Sequence, residues 1–173
     1  MIGREDGGTR TSIAFGVAIV IAIGVILAAT RSSGPSPPQV EIGSVADFPP
    51  GSVAEMELYV SLPRPVPGLW DGTGDIRIPI IVTNDDTEGL LALWTTDPHL
   101  GCRVSPAWRL RESERQHLTP GTAIWNPCHG ESYDGAGRWL SGPSPRGLDR
   151  FAVSIVEDSV IVDVMGFEEG PPR

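Results

Sequence analysis

Two short segments carry the residue types that can bind a metal or exchange electrons. Residues 97 to 102 read DPHLGC, and residues 125 to 133 read WNPCHGESY. Each segment holds one His and one Cys, and the whole chain has only two Cys and three His. Imidazole, thiolate and carboxylate are the usual protein ligands of iron and zinc. The two segments are therefore the candidate functional site, provided that the fold brings them together.

The two segments resemble the paired cluster-binding boxes of the Rieske iron-sulfur family, which have the forms CxHxGC and CxCHG, the second followed by Ser and Tyr. In that family the first Cys and the His of each box bind a 2Fe-2S cluster, with two thiolates on one iron and two imidazoles on the other. The matching positions here are Asp97, His99, Asn126 and His129. Compared with the family, this chain thus retains both ligand histidines and has other residues in place of both ligand cysteines.

Further residues match the family, and one residue departs from it. The two remaining family cysteines, which form a disulfide between the loops, match Cys102 and Cys128, so the resemblance implies that these two are bonded. Tyr133 and the run GPSPRGLDRF at residues 142 to 151 also match. Glu131 stands where the family usually has a Ser that donates a hydrogen bond to the cluster sulfur.

The replacements change the chemistry that the site can perform. Soft thiolates stabilise the iron of a cluster, whereas Asp97 offers an oxygen and Asn126 only a neutral amide. Glu131 adds a negative charge that we expect to be uncompensated. We therefore expect no cofactor and no catalytic site, with one or both of the imidazoles of His99 and His129 hydrogen-bonded to Asp97 or Asn126. Two alternatives stay open: an atypical 2Fe-2S cluster, or a single iron or zinc ion held by the two His with Asp97 as the carboxylate ligand.

The elements that must position these loops read as β-strands. Short runs rich in Val, Ile, Leu, Thr and Trp are bounded by Gly, Pro, Asn or Asp, and no sustained helical periodicity occurs after residue 29. These runs occupy residues 53–62, 76–84, 89–96, 122–126, 151–158 and 160–167. The Asp134-Gly135 pair predicts a hairpin turn within residues 132 to 140. We predict an all-β domain of antiparallel sheets, and the resemblance implies a small loop-bearing subdomain inserted into a larger one.

The N-terminal part predicts a membrane anchor. Residues 12 to 29 form an uncharged apolar run of 18 residues, enough for a helix that crosses the bilayer. Arg4 and Arg10 precede the run and Arg31 follows it, which favours a cytoplasmic N-terminus. We expect a cytoplasmic segment at 1–11, an anchor at 12–30, a Pro- and Ser-rich tether at 31–45 and an extracytoplasmic domain at 46–173. A cleaved signal peptide is the alternative.

Charge and motifs exclude several functions. The net charge is −9 and the basic residues are dispersed, so we expect no nucleic-acid binding. Neither phosphate-cradling glycine pattern, nor HExxH, nor GxSxG occurs. The expected function is a structural or docking subunit of a membrane redox or respiratory complex. If the chain is active, the resemblance implies an electron-transport component of the quinol-cytochrome c reductase type.

Overall fold

A computed structural model describes residues 38 to 173. The predicted cytoplasmic segment, the anchor and residues 31 to 37 of the predicted tether lie outside the described residues. Within residues 38 to 173, no helix has the length and apolar character needed to cross a membrane.

The described residues form ten β-strands with little helix, so the predicted all-β class and antiparallel sheets are confirmed. One four-residue helix, α1, spans Glu112–Arg115, and two 3-10 turns span Val45–Asp47 and Ala107–Arg109. The strands are β1 Gln39–Ser44, β2 Val53–Leu62, β3 Gly74–Asp85, β4 Gly89–Trp94, β5 Ser105–Pro106, β6 Ile124–Trp125, β7 Ser132–Tyr133, β8 Trp139–Ser141, β9 Arg150–Val156 and β10 Ser159–Glu168.

Six strands form the larger sheet, in the order β1-β10-β9-β4-β3-β2. All neighbouring pairs are antiparallel. Alternate residues of β3, Ile78, Ile80 and Val82, contribute to its apolar core together with residues of β2 and β10. This alternation follows from the two-residue repeat of a strand, which directs successive side chains to opposite faces.

Four short strands form the smaller sheet, in the order β5-β6-β7-β8. In sequence this sheet lies between β4 and β9, which pair with each other in the larger sheet. Its core contains Ile81 and Leu93, which belong to strands of the larger sheet, packed with Ile124, Tyr133 and Leu148. Strand β3 is therefore buried on both faces near its end, which explains its continuous buried run from residue 80 to residue 83.

Two local features bear on the expectations from sequence. Residues 39 to 44, assigned above to the end of the tether, form β1 and pair with β10, so the paired strands of this domain start at Gln39. The predicted hairpin is present as β7 and β8, and its turn is closed by Asp134, whose side chain accepts backbone N–H groups of Ala136 and Arg138.

Candidate functional site

The first loop of the site follows β4 and is closed by hydrogen bonds of its own backbone. The Asp97 N–H donates to the Cys102 carbonyl at 2.8 Å, and the Gly101 N–H donates to the Asp97 carbonyl at 3.0 Å. Asp97 Oδ1 accepts the N–H of His99 at 2.7 Å. This is the turn that an Asp side chain makes with the backbone two residues on. Asp97 is buried, and its side chain shapes the loop.

The second loop, between β6 and β7, is built in the same way. The Asn126 N–H donates to the Glu131 carbonyl at 2.8 Å, and the Gly130 N–H donates to the Asn126 carbonyl at 2.9 Å. Asn126 Oδ1 accepts the N–H of Cys128 at 2.8 Å. Asp97 and Asn126 each precede a Pro, and each accepts the N–H two residues later. The two replacements of family cysteines therefore play equivalent parts in the two loops.

A disulfide joins the loops. The sulfur atoms of Cys102 and Cys128 are bonded, with 6.4 Å between the Cα atoms. The pairing implied by the resemblance is thus confirmed. Both cysteines of the chain take part in this bond, so neither supplies a free thiolate.

The two site histidines meet beside a buried carboxylate. The ring centroids of His99 and His129 lie 5.3 Å apart, with an interplanar angle of 73°. His99 Nδ1 lies 3.0 Å from Oε1 of Glu131. The His99 side chain is 30% exposed, whereas the Glu131 side chain is fully buried. The imidazole of His99 therefore bonds to Glu131 and not to Asp97 or Asn126, the expected partners, and Oε2 of Glu131 has no hydrogen-bond partner among the described residues.

Asp97 faces a different partner. Its Oδ2 accepts a hydrogen bond from the phenol of Tyr133 at 2.5 Å, in a buried position. Burial raises the pKa of the Tyr133 phenol, and the hydrogen bond to Asp97 raises it further. The metal-capable group in the described residues consists of His99, His129 and Glu131, whose ligand atoms all lie within 4.8 Å of one another. The carboxylate beside the two His is thus Glu131 and not Asp97, the expected carboxylate ligand.

Comparisons with known proteins bear on the family. No family model matches the chain. The cytochrome b6-f complex iron-sulfur subunit 1 from the cyanelle of Cyanophora paradoxa is 34% identical over 82 residues, which cover 47% of this chain and 30% of that protein. The cytochrome b6-f complex iron-sulfur subunit of Synechococcus elongatus is 28% identical over 123 residues, covering 69% of this chain and 61% of that protein. The resemblance to the Rieske family is confirmed.

The chain spans less than two thirds of the length of these curated relatives. Among solved structures, the plasma membrane Rieske protein PetC3 of Synechocystis PCC 6803 is similar at a TM-score of 0.41 and 22% identity, covering 71% of this chain and 97% of that one. A hyperthermophilic respiratory Complex III chain is similar at a TM-score of 0.42 and 20% identity, covering 86% and 98%.

The donor set of this Rieske-like domain does not fit the cluster that the family implies. Such a cluster takes two thiolates and two imidazoles. Here the thiolate positions hold Asp97 and Asn126, whose oxygens accept hydrogen bonds from their own loops and from Tyr133. The imidazole half is present in His99 and His129.

A close packing contact behind Glu131 was not apparent from sequence alone. Gly142 has a φ of +96°, and a Cβ atom there would approach the Cα of Glu131 to 2.7 Å. The loop that starts at Gly142 therefore presses directly on the backbone of Glu131. The GPSP motif was a signal for a tight loop, but only the structure shows which residue the loop contacts.

Proposed function

We propose that this chain is a membrane-anchored, extracytoplasmic Rieske-fold subunit of a redox or respiratory complex, and that it contributes a docking surface without a 2Fe-2S cluster. One observation carries the proposal: Asp97 and Asn126, at the ligand-cysteine positions, are buried and held by hydrogen bonds within the site. The relatives named as iron-sulfur subunits of the cytochrome b6-f complex support the assignment to such a complex.

The hydrogen bonds of Asp97 oppose its use as an iron ligand. A hydrogen bond to a charged group contributes roughly 1.5 to 3 kcal/mol. Turning the carboxylate of Asp97 toward an iron would break its bonds to the Tyr133 phenol and the His99 N–H. Asn126 would likewise give up the N–H of Cys128. The internal hydrogen bonds of these loops and the disulfide between them support a site that keeps its shape without a cluster.

The surface of the site supports a docking role. Leu100 is 66% exposed in the first loop, and His129 is exposed in the second. An exposed apolar side chain beside polar groups is a common feature of contact surfaces between proteins. The partners under this proposal are other subunits of the membrane complex, and the chain has no catalytic site of its own.

The membrane placement rests on the sequence pattern. The apolar run at residues 12 to 29 has the length of a spanning helix and would contact the lipid bilayer. The disulfide between Cys102 and Cys128 supports an oxidising, extracytoplasmic compartment for the β domain.

The proposed absence of a cluster is tested by measuring iron and acid-labile sulfide per chain in protein purified without oxygen or chelator. We expect neither above background, while a cluster-bearing Rieske protein prepared in parallel serves as the positive control. Two iron and two sulfide per chain would instead make this an electron carrier with Asp97 and Asn126 as unusual ligands, a quinol-cytochrome c reductase component.

The docking role is tested in detergent-solubilised membranes. We expect the chain to migrate with a haem-containing complex in native gels, and Leu100→Glu to release it. Ile155→Glu is the matched control, since Ile155 is 54% exposed on β9 of the larger sheet. Equal loss of comigration in both variants would place the contact elsewhere, and no comigration of the unaltered chain would refute the docking role.

A further inference from the structure

We propose that His99, His129 and Glu131 bind one divalent transition-metal ion of the zinc class between the two loops. The proposed docking function needs no metal, so this site goes beyond it. Three side chains of types that zinc prefers converge here: two imidazoles and one carboxylate. Asp97 takes no part, because its carboxylate is bound to Tyr133 and to the backbone of its own loop.

The distances are close to those of a coordination sphere. Zinc-ligand bonds of about 2.0 to 2.1 Å place two ligand atoms of a tetrahedral site ~3.3 Å apart. His99 Nδ1 and Glu131 Oε1 are 3.0 Å apart, which already corresponds to that spacing. The widest separation in the group is no more than 4.8 Å. A shift of about 1.5 Å by the exposed His129 side chain would complete the set.

An unsatisfied buried atom points independently to a cation. Glu131 is fully buried, and its Oε2 has no hydrogen-bond partner among the described residues. A buried carboxylate oxygen without a partner is costly, and such groups are normally paired or coordinate a metal. The imidazole of His99 satisfies Oε1 only. A metal ion beside this carboxylate would compensate its charge and supply the missing partner.

The surrounding structure holds the two loops and the backbone of Glu131 in place before any metal binds. The Cys102–Cys128 disulfide ties the loop of His99 to the loop of His129. Gly142 packs against the Glu131 backbone, where a Cβ would come within 2.7 Å of the Glu131 Cα. Ligands that are ordered in advance lose less entropy when they bind.

The ligand set determines the class of metal and the state of the site. Two imidazoles and a carboxylate bind zinc more tightly than Fe²⁺ by the usual order of divalent metals. Three protein ligands leave a fourth position open, as in zinc sites that take a water or another ligand. Because His129 is exposed, that position is accessible to water or to a side chain of a docked partner.

Zinc titration of the full 173-residue chain, freed of metal by chelation and dialysis, tests the site by calorimetry and by metal analysis after gel filtration. We expect one zinc per chain and a zinc-dependent rise in melting temperature, since a ligand that binds only the folded state stabilises it. His129→Asn and Glu131→Gln should each weaken zinc binding at least tenfold. His117→Asn is the matched control, because His117 is the one histidine outside the group. The zinc affinity of this variant should equal that of the unaltered chain.

The outcomes separate this inference from the proposed function. Absence of zinc binding, or unchanged affinity in both His129→Asn and Glu131→Gln, overturns the zinc site and leaves the docking role intact. If Glu131→Gln does not fold, the His129→Asn variant decides alone. The His129 side chain is exposed, so we expect its replacement to leave the fold intact. Two iron and two sulfide on the chain as purified would overturn both proposals.

Discussion

The two sheets of this domain bury different kinds of groups. The core of the larger sheet is apolar throughout, with residues such as Leu58, Ile80 and Val162 almost completely buried. The smaller sheet and its loops bury Asp97, Asn126, Glu131, Ser132 and Ser144. Burial of apolar area stabilises the first region without regard to direction. The second region has an apolar core as well, and adds hydrogen bonds and a covalent link, which have defined geometry and therefore suit a recognition or metal-binding site.

The largest expected effect lies in the apolar core. Ile80→Ala should lower the free energy of unfolding by about 4 kcal/mol, because Ile80 is fully buried and its loss leaves a cavity. Ile155→Ala, at an exposed position of the same sheet, should change it by less than about 0.5 kcal/mol. Urea unfolding followed by tryptophan fluorescence measures both. Similar losses in the two variants would mean that this sheet does not derive its stability from the buried core.

Removing the disulfide tests the covalent contribution to the smaller sheet. The double variant Cys102→Ser and Cys128→Ser should lose about 3.5 kcal/mol, the chain-entropy value for a closed loop of this length. The sequence separation of the two cysteines is 26. Reductant should destabilise the unaltered chain by a similar amount and leave the double variant unchanged. A reductant effect on the double variant would show that the loss has another origin.

The smallest effect concerns Tyr133 at high pH. Because the pKa of this phenol is raised in the folded state, the unfolded chain loses the proton at pH ~10 while the folded chain keeps it. The contribution of the Tyr133 phenol to the free energy of unfolding is therefore complete below pH ~10. Above that pH it falls by at most about 1.4 kcal/mol per pH unit. Unfolding at pH 9 to 11.5 should show this slope in the unaltered chain and a smaller slope in Tyr133→Phe.

Tyr59 provides the control for that prediction, since it is the only other Tyr of the chain and is 70% exposed. Tyr59→Phe should retain the slope of the unaltered chain. An equal reduction of the slope in both variants would contradict the assignment to the buried phenol of Tyr133.

Strands were predictable where side chains alternate over many residues. Residues 53 to 62 form β2 as predicted, and 76 to 84 lie within β3. β1 was missed because residues 39 to 44 adjoin a Pro-rich segment, and its strand character depends on pairing with β10. Helix α1 has only four residues, too few for a 3.6-residue repeat to be visible.

The site was predictable in its membership but not in its pairings. The resemblance selected Asp97, His99, Asn126, His129, Glu131 and Tyr133, and it implied the disulfide that the structure contains. It did not show that Asp97 bonds to Tyr133 or that Glu131 faces His99. These residues are separated by 36 and 32 positions, so local sequence patterns carry no information about which carboxylate meets which partner.

The sequence by itself determined the all-β class, the positions of the main strands and the two loops. These properties follow from local periodicity and turn residues, whereas the disulfide was implied only by the family resemblance. Tertiary structure decided the direction of each polar side chain. The packing of Gly142 on Glu131 and the burial of Tyr133 leave Asp97 in its own loop and bring Glu131 to the imidazoles, because each buried polar group takes the partner that the surrounding packing allows.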